Sequence, residues 1–550
     1  MPHLDDVKRR QFLQYVALGT MAAALPGFTL AEDRSINDTP DPAFKPDVEV
    51  ELTAQIAEVS ILPGANTRVF QYQGKLLKGP SHSLKTLPGY LGPILNLEHG
   101  QKVRIFFYNK LSEPSIVHWH GMHVPQKMDG HPMYEIYKGE RHVYEFEVEN
   151  RAGTNWYHSH THEMTAAQVY QGLAGLITVT DAQEQKLGLP SGEYDLPLVL
   201  QDRRFTAGNQ FQYGQGMHQR MMGFHGDTIL VNGQANSAIP VKSRAYRLRL
   251  LNGSNARIYK LGWDDGTPLT AIGTDGGLLE RPETLPYIML APAERVELWV
   301  DFSGRKLGTE LTLQSLEYKG VMSPMGGRMG RMGMMSGLAP GASFPIVKFQ
   351  ITEQVSDSPS LPNQLVPIRR LTEKDISNTG KTVPIAIGMR HMSFELNGRT
   401  FGMQKRMDIE KIPVNTIQKI RIFHDNQMMG GMGGMGGMGG MGGMGGAGMG
   451  GGMRGGRMGM MGMMGNIPHP IHLHGQQFQI LSRKQTRQSD GYDTVKNGFI
   501  NSGWKDTVLV MPGEEIEILK PFEDFTGLFL YHCHKLEHED MGMMRNFYVS

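Results

Sequence analysis

The stretch Lys102-Val103-Arg104-Ile105-Phe106-Phe107 alternates polar and apolar side chains and is typical of a β-strand that buries one face. Similar short runs, separated by Gly, Pro and Asn, recur from residue 47 to the end of the chain. They lie at 48–52, 142–148, 175–179, 245–251, 295–300, 418–423 and 507–510. Short strands at regular spacing indicate β-sandwiches, and long helical periodicity is nearly absent. The sequence therefore predicts an all-β fold.

The length of the chain indicates how many sandwich domains it contains. Its 550 residues, 39% apolar and 20% charged, fit a globular protein of about three or four domains. Predicted linkers at 181–195 and at the Pro-rich 356–370 separate domains at 47–180, 195–355 and 384–550. We therefore predict three sandwich domains.

The charge balance excludes one class of partner. Lys and Arg number 55 against 54 Asp and Glu, a net charge of +1, so the basic surface typical of nucleic-acid binding is missing. No run of about 20 apolar residues follows the N-terminus, so we expect no stable membrane insertion. We expect a monomer.

Residues 1–31 have the pattern of an export signal. Arg9-Arg10 precedes an apolar run, 15–25, that is too short to span a bilayer, and a stretch ending near Ala31 follows. Paired arginines predict the twin-arginine (Tat) route, which exports folded proteins, and hence a periplasmic location. The alternative is a membrane-skimming helix with incidental basic residues.

Ten of the 21 histidines fall into four short motifs near the two ends of the chain. They are His118-Trp119-His120, His158-Ser159-His160, His469-Pro470-Ile471-His472-Leu473-His474, and His532-Cys533-His534 with His538 after it. On a strand, residues i and i+2 project from one face, so each His-x-His pair delivers two imidazoles side by side. Eight such imidazoles could hold three metal ions if the first and third domains meet. Imidazole suits Cu, Zn, Fe and Ni alike.

The single cysteine indicates which metal the site binds. Cys533 alternates with His532 and His534, so its side chain points to the opposite face of the strand. A thiolate with two imidazoles and a weak thioether is the blue-copper ligand set, here Cys533, His469, His538 and Met543. A structural zinc site needs four ligands and no further imidazoles, so we reject zinc. The remaining alternative, ordinary core or surface histidines with a buried thiol, does not explain four pairs in one chain.

On these motifs the chain resembles the three-domain multicopper oxidases of the laccase group and, within them, the bacterial CueO-type cuprous oxidases. The resemblance runs from about residue 50 to the C-terminus and includes 201–205, 226–233, 250–257 and 275–279. It implies cupredoxin-like Greek-key sandwiches and an enzyme with four coppers per chain. Such an enzyme couples one-electron oxidation of a substrate to the reduction of O₂ to water.

The resemblance also implies how the ligands are shared. The type 2 copper would take His118 and His472. One type 3 copper would take His120, His158 and His534, and the other His160, His474 and His532. The type 1 copper would take His469, Cys533, His538 and axial Met543, and this thioether implies a low-to-middle reduction potential.

Two carboxylates complete the implied site. From the residues alone, Asp129 before Gly130 is typical of a turn and Glu539 of a solvated surface. The resemblance implies instead that both lie beside the copper cluster and provide protons for O₂ reduction.

Two methionine-rich segments interrupt the sandwich pattern. Residues 428–465 contain 14 Met and 21 Gly, and residues 322–335 contain 6 Met. Glycine and methionine are too flexible to specify a core, so both segments are predicted to be mobile loops. Three residues separate the longer segment from His469. Thioethers select Cu(I), so it would concentrate cuprous ion, whereas the alternative is a repeat-expanded linker.

The function that follows depends on these methionines. CueO-type relatives carry their methionine-rich insert elsewhere in the third domain, so Met460, Met461, Met463 and Met464 are candidates for a substrate-copper site by position only. The chain is predicted to oxidise Cu(I) in copper tolerance, with phenols as further substrates. The alternatives are an organic-substrate laccase and a copper-buffering protein, although a buffer needs no O₂ site. Copper nitrite reductase is excluded, because it has two cupredoxin domains and lacks the paired His-x-His sets.

Overall fold

The computed structural model describes residues 36–214, 216–320, 338–390, 393–425 and 467–550. The predicted export signal 1–31, the methionine-rich segments 322–335 and 428–465, and with them Met460, Met461, Met463 and Met464, lie outside the described residues. Every helix in the described ranges falls short of the length and apolarity that a membrane crossing needs.

The described strands form six sheets in three consecutive pairs, which we call the first, second and third sandwich. The first contains β1 (Val48–Val59), β2 (Thr67–Lys78), β3 (Leu84–Lys85), β4 (Ile94–Glu98), β5 (Lys102–Asn109), β6 (Val117–His118), β7 (Arg141–Glu147), β8 (Gly153–Ser159) and β9 (Ala174–Thr180). The second contains β10 (Asp195–Arg203), β11 (Thr228–Val231), β12 (Gln234–Ala235), β13 (Ala238–Lys242), β14 (Ala245–Asn252), β15 (Tyr259–Trp263), β16 (Leu269–Thr274), β17 (Gly277–Leu285), β18 (Ile288–Leu290), β19 (Arg295–Asp301), β20 (Glu310–Ser315) and β21 (Phe344–Glu353). The third contains β22 (Val383–Arg390), β23 (Ser393–Leu396), β24 (Lys411–Ile412), β25 (Thr416–His424), β26 (His469–Leu473), β27 (Gln479–Gln485), β28 (Thr507–Val510), β29 (Glu514–Phe522), β30 (Gly527–Cys533) and β31 (Met544–Val549).

Short helices connect the strands. The α-helices are α1 (Thr165–Gln171), α2 (Ala182–Gln185), α3 (Met217–Met222) and α4 (Leu536–Asp540). The 3₁₀ turns are Ser81–Ser83, Gln126–Met128, Pro132–Tyr134, Gly192–Tyr194, Glu373–Asp375, Asp408–Glu410, Tyr492–Thr494 and Lys496–Gly498.

The same topology occurs three times. In one sheet of each sandwich the first strand pairs in parallel with a later one: β1 with β5, β10 with β14, and β22 with β25. The other sheet repeats the orders β4-β9-β8-β6, β13-β21-β20-β15 and β24-β31-β30-β26. The described part of the chain is therefore built from three copies of one β-sandwich, and the all-β class predicted from the alternating runs is confirmed.

The alternation has its expected physical basis. In β5, Val103, Ile105 and Phe107 are fully buried, whereas Arg104 on the other face pairs with Glu49 at 2.8 Å. The segment 356–370, expected from its prolines to be a linker, has no strand or helix. Its second half is nonetheless packed, because Leu365, Val366 and Ile368 belong to the apolar core of the second sandwich.

Apolar contacts join neighbouring sandwiches. Leu536 of α4 packs against Ala166 and Val169 of α1, which joins the third sandwich to the first. Val199 and Leu251 of the second sandwich join an apolar cluster of the first. The first and third sandwiches are thus held face to face beside the second.

Candidate metal centre

Four strands carry the histidine motifs. In the first sandwich, β6 pairs with β8 so that His118 lies opposite His158. In the third, β26 pairs with β30 so that His472 lies opposite His532. Adjacent strands bring side chains on one face to within about 5.5 Å, so each sandwich presents its imidazoles as a cluster.

The two clusters meet. Nε2 of His118 is 3.3 Å from Nε2 of His472, and Nε2 of His160 is 3.4 Å from Nε2 of His532. We call the eight buried rings the histidine cage: His118, His120, His158, His160, His472, His474, His532 and His534. Residues more than 350 positions apart in the chain thus share one site.

Most cage rings are oriented by an oxygen outside the cage. Five of them have Nδ1 within hydrogen-bond distance of a carbonyl or carboxylate oxygen: His118 with Asp129 O (2.6 Å), His158 with Ser159 O (2.8 Å), His472 with Asp506 O (2.9 Å), His474 with Asp129 Oδ2 (2.7 Å) and His532 with Cys533 O (3.2 Å). A carbonyl or ionised carboxylate only accepts, so Nδ1 carries the proton in each ring. Their Nε2 lone pairs therefore point into the cage.

His120 is turned the other way. Its Nε2 donates to Oδ1 of Asp506 at 3.0 Å, and its Nδ1 lies 3.4 Å from Nε2 of His158. His120 thus presents Nδ1 to the cage, where its neighbours present Nε2.

The cage fits metal cations. Burial lowers the pKa of His120, His158, His160, His474 and His534 well below its usual value, and that of His472 to about 4, so these rings are neutral ligands. Lone pairs that face each other at 3.1–3.4 Å repel unless a cation lies between them. Both ring nitrogens of buried His534 have no hydrogen-bond partner among the described residues.

A second group, which we call the thiolate site, lies on the other face of β30. Sγ of Cys533 is 3.4 Å from Nδ1 of His469 and 3.6 Å from Nδ1 of His538. Met543 is buried, and its carbonyl accepts the N–H of Cys533 at 3.1 Å. Burial raises the pKa of the Cys533 thiol to about 12, so a thiolate here needs a cation. Two imidazoles, a thiol and a thioether suit copper.

Both predicted carboxylates are buried beside the cage. Oδ2 of Asp129 is 2.7 Å from Nδ1 of His474. Oε2 of Glu539, in α4, is 3.1 Å from Nδ1 of His532, and its Oε1 is 3.7 Å from Nε2 of His160. Burial opposes ionisation of Glu539, but His532 and His160 outweigh it and hold the pKa of this carboxyl below its usual range.

Sequence reasoning missed three contributors to the site. Asp506 precedes the predicted strand 507–510, and only its pairing with β26 reveals that it contacts His120 and His472. The second contributor is Arg295. Burial opposes ionisation of Asp506, but Arg295 and His120 hold the pKa of its carboxyl well below the usual range. The third contributor is Met221 of α3, whose carbonyl accepts from His538 Nε2 at 3.1 Å.

Comparison with known proteins agrees with this geometry. Multicopper oxidase family models match residues 73–184 and 458–550. A multicopper oxidase of Staphylococcus haemolyticus is 30% identical over 460 residues, which cover 84% of this chain and 82% of that protein.

Two solved structures share the fold. The multicopper oxidase McoA of Aquifex aeolicus is 29% identical, with a TM-score of 0.71, over 92% of this chain and 97% of its own. The laccase-like CueO of Ochrobactrum is 26% identical, with a TM-score of 0.69, over 93% and 98%. These neighbours confirm the predicted cupredoxin-like sandwiches and the predicted resemblance. The chain therefore belongs to the multicopper oxidases, oxidoreductases that couple one-electron oxidation of a substrate to the reduction of O₂.

Proposed function

We propose that this protein oxidises Cu(I) as its principal substrate, with phenols as secondary substrates, and that it serves copper tolerance in the periplasm. Family membership supports the oxidase chemistry. The choice of Cu(I) rests on one observation, a methionine-bearing helix whose backbone accepts the hydrogen bond of His538 Nε2.

That helix is α3. Its Met221 carbonyl accepts from Nε2 of His538, which is fully buried. Met221 belongs to the same apolar cluster as Cys533 and Met543, while Met217 at the start of α3 is 57% exposed. The helix beside His538 thus carries one buried and one exposed thioether, which are soft ligands that favour Cu(I).

The attachment points of the long methionine segment lie at the same site. His424, the last residue of β25, has Nε2 3.2 Å from the carbonyl of Ile467, two residues before His469. The ring centroids of His424 and His469 are 5.6 Å apart. The chain thus leaves for 428–465 and returns beside the thiolate site, which supports delivery of Cu(I) by that segment.

The ligand assignment is the one that the resemblance implies, and two of its sets have close contacts, His118 with His472 and His532 with His160 and His474. The type 1 copper would lie in the thiolate site with His469, Cys533, His538 and Met543. In the cage, the type 2 copper would take His118 and His472, and the two type 3 coppers the sets His120, His158, His534 and His160, His474, His532. Four coppers bound in this way would supply one-electron acceptance at the thiolate site and four-electron reduction of O₂ at the cage.

Asp129 and Glu539 would relay the protons that the reaction consumes. Reduction of O₂ to two waters takes up four protons, so acids are needed close to the cage. Oδ2 of Asp129 is one hydrogen bond from Nδ1 of His474, and Oε2 of Glu539 lies 3.1 Å from Nδ1 of His532.

Oxygen uptake by the copper-loaded protein tests the substrate. We would compare Cu(I) with 2,6-dimethoxyphenol in the full chain, in a variant lacking 428–465, and in a matched variant with the 14 methionines of that segment replaced by serine. We expect both variants to lose most Cu(I) turnover while phenol oxidation holds or rises. The serine variant keeps the loop length, so it separates the thioethers from simple obstruction.

Two results would contradict the proposal. If both substrates are turned over at unchanged rates, the segment is a passive insert and the protein is an organic-substrate laccase. If the variants bind less Cu(I) but oxidise it as fast, the segment buffers copper. Export is tested separately by replacing Arg9-Arg10 with two lysines. We expect this variant to keep the precursor in the cytoplasm.

A further inference from the structure

Asp506 holds two rings of the histidine cage at once. Its carboxylate Oδ1 accepts from Nε2 of His120 at 3.0 Å, and its backbone carbonyl accepts from Nδ1 of His472 at 2.9 Å. The Thr507 hydroxyl also donates to Oδ1, at 2.9 Å. Of the two ring hydrogen bonds, only that of His120 is accepted by the side chain of Asp506, whose Oδ1 also lies 3.6 Å from Nδ1 of His472.

The carboxylate of Asp506 is held in turn by Arg295. Nη1 of Arg295 donates to Oδ1 at 2.8 Å, and Nη2 donates to Oδ2. Both side chains are at most 1% exposed. A bidentate guanidinium–carboxylate pair of this kind fixes direction as well as charge.

Arg295 comes from the second sandwich, which gives no histidine to the cage. Its Nε donates to the carbonyl of Thr154 in the first sandwich at 3.0 Å. Its Nη2 donates to the carbonyl of Asp275 in the second sandwich. With Asp506 in the third sandwich, one buried guanidinium thus touches all three.

The second sandwich also fixes the backbone before Asp506. The Asp275 carboxylate pairs with Lys505 at 3.0 Å, and the N–H of Gly276 donates to the carbonyl of Trp504 at 2.8 Å. A Cβ on Gly276 would lie 2.4 Å from the Cβ of Trp504. The backbones at Gly276 and Trp504 therefore lie so close together that a side chain at position 276 would not fit.

The pair also packs directly behind His120. A Cβ on Gly121, whose φ is +90°, would lie 2.6 Å from Nη2 of Arg295 and 2.8 Å from Oδ2 of Asp506. The His120 ring cannot turn over without losing its carboxylate partner, because that partner has no room to follow.

We propose that Arg295 and Asp506 are positioning residues that hold His120 with Nδ1 toward the cage, so that the second sandwich completes a metal centre to which it gives no ligand. The proposal rests on the copper assignment of the cage given above. Neither residue touches the reacting oxygen. Both act through the orientation of one imidazole.

The test compares Asp506→Asn and Arg295→Lys with a matched control, Asp202→Asn. Asp202 forms a similarly buried pair with Arg257 at 2.8 Å in the second sandwich. Its recorded partners include no residue of the cage. For each copper-loaded protein we would measure copper per chain, the blue absorption of the thiolate site, the type 2 electron paramagnetic resonance signal and O₂ uptake.

We expect Asp506→Asn to keep the blue absorption but to lower copper affinity at the cage, or turnover, by about 10- to 100-fold. Arg295→Lys keeps the charge but loses the two parallel N–H donors of the guanidinium, so we expect a smaller change in the same direction. The control should change stability only.

Three results would overturn the inference. Unchanged copper affinity at the cage together with unchanged turnover in Asp506→Asn would remove the positioning role. Equal loss of copper from both sites, in step with Asp202→Asn, would reduce the pair to a structural contact. An unmodified protein that takes up copper only at the thiolate site would overturn the proposed function and this inference together.

Discussion

Two buried carboxylates hold cage rings through their side chains, Asp129 at His474 and Asp506 at His120. Their surroundings differ in one respect. Asp506 is paired with Arg295, whereas the ion-pair partners of Asp129 within the described ranges are histidines. A carboxylate paired with arginine stays ionised, so Asp506 is suited to holding a ring, and the proposed relay of protons is left to Asp129 and Glu539.

Replacing Asp129 tests its part in this division. Asp129→Asn keeps an oxygen that can accept from His474 but removes the acid. We expect copper content and blue absorption to stay, and turnover to fall by roughly 100-fold or more. Oxygen uptake with either substrate, at matched copper content, measures this. A variant with normal turnover would remove Asp129 from the reaction.

The individual residues also show where sequence reasoning stops. The i, i+2 spacing placed both members of each His-x-His pair on one side of a strand and Cys533 on the other. It could not tell which nitrogen of His120 faces inward, because that depends on Asp506, 386 positions away. Contacts between residues so far apart leave no local pattern to read.

Among the secondary elements, α1 and α4 form a joint between the first and third sandwiches. The residue before α1, Met164, makes no side-chain cap hydrogen bond. The cap comes instead from Asp540 of α4, whose Oδ1 and Oδ2 accept from the N–H groups of Thr165 and Ala166 at 3.0 Å each. A side chain that accepts from the first N–H groups of a helix stabilises that helix.

We therefore expect Asp540→Ala to lower the free energy of unfolding by about 1–2 kcal/mol, because two N–H groups lose their acceptor. Asp540→Asn keeps one acceptor oxygen and should lose about half as much. Urea unfolding of the copper-free protein measures both. Equal stability of the alanine variant and the parent would show that water replaces the carboxylate at no cost.

How well an element could be predicted depended on its exposure. Strands with one exposed face, such as β5, follow the alternating pattern, and β28 has the predicted bounds, Thr507–Val510. β8 is buried on both faces and shows no alternation, so its histidines rather than its pattern indicated a strand. α3 has six residues and α4 has five, too few for a helical period to emerge.

Across the whole molecule, a buried charge cluster joins the first two sandwiches. Glu297 accepts from Thr154 Oγ1 at 2.6 Å and pairs with Arg247 and with Arg249. Burial opposes its ionisation, but the two arginines lower the pKa of Glu297 to about 2, from an ordinary value of 4.5.

The depressed pKa predicts the acid response of the fold. The unfolded chain binds the proton more tightly, so the stabilisation by Glu297 is complete above pH about 4.5 and is lost as the pH falls toward about 2. Glu297→Gln should lose about 3–5 kcal/mol at neutral pH and respond less steeply in that window. Unfolding free energies of both copper-free proteins against pH measure this. Parallel curves would contradict it.

The repeated topology explains why the middle sandwich holds no cage ligand. By sheet order, β15 and β20 of the second sandwich correspond to β6 and β8 of the first and to β26 and β30 of the third. They run Tyr259–Trp263 and Glu310–Ser315, without a histidine. One copy of the fold therefore lacks ligands and contributes packing and the charges around Arg295.

The division of the cage between the two ends of the chain has a consequence for how the protein is made. Between His160 and His469 a ribosome must add 309 residues, which takes roughly 15–60 s at ordinary elongation rates. For that time four histidines of the nascent chain have no counterparts, and any metal they capture is held by an incomplete set. Correct loading must therefore follow release of the finished polypeptide, when the last strands have docked.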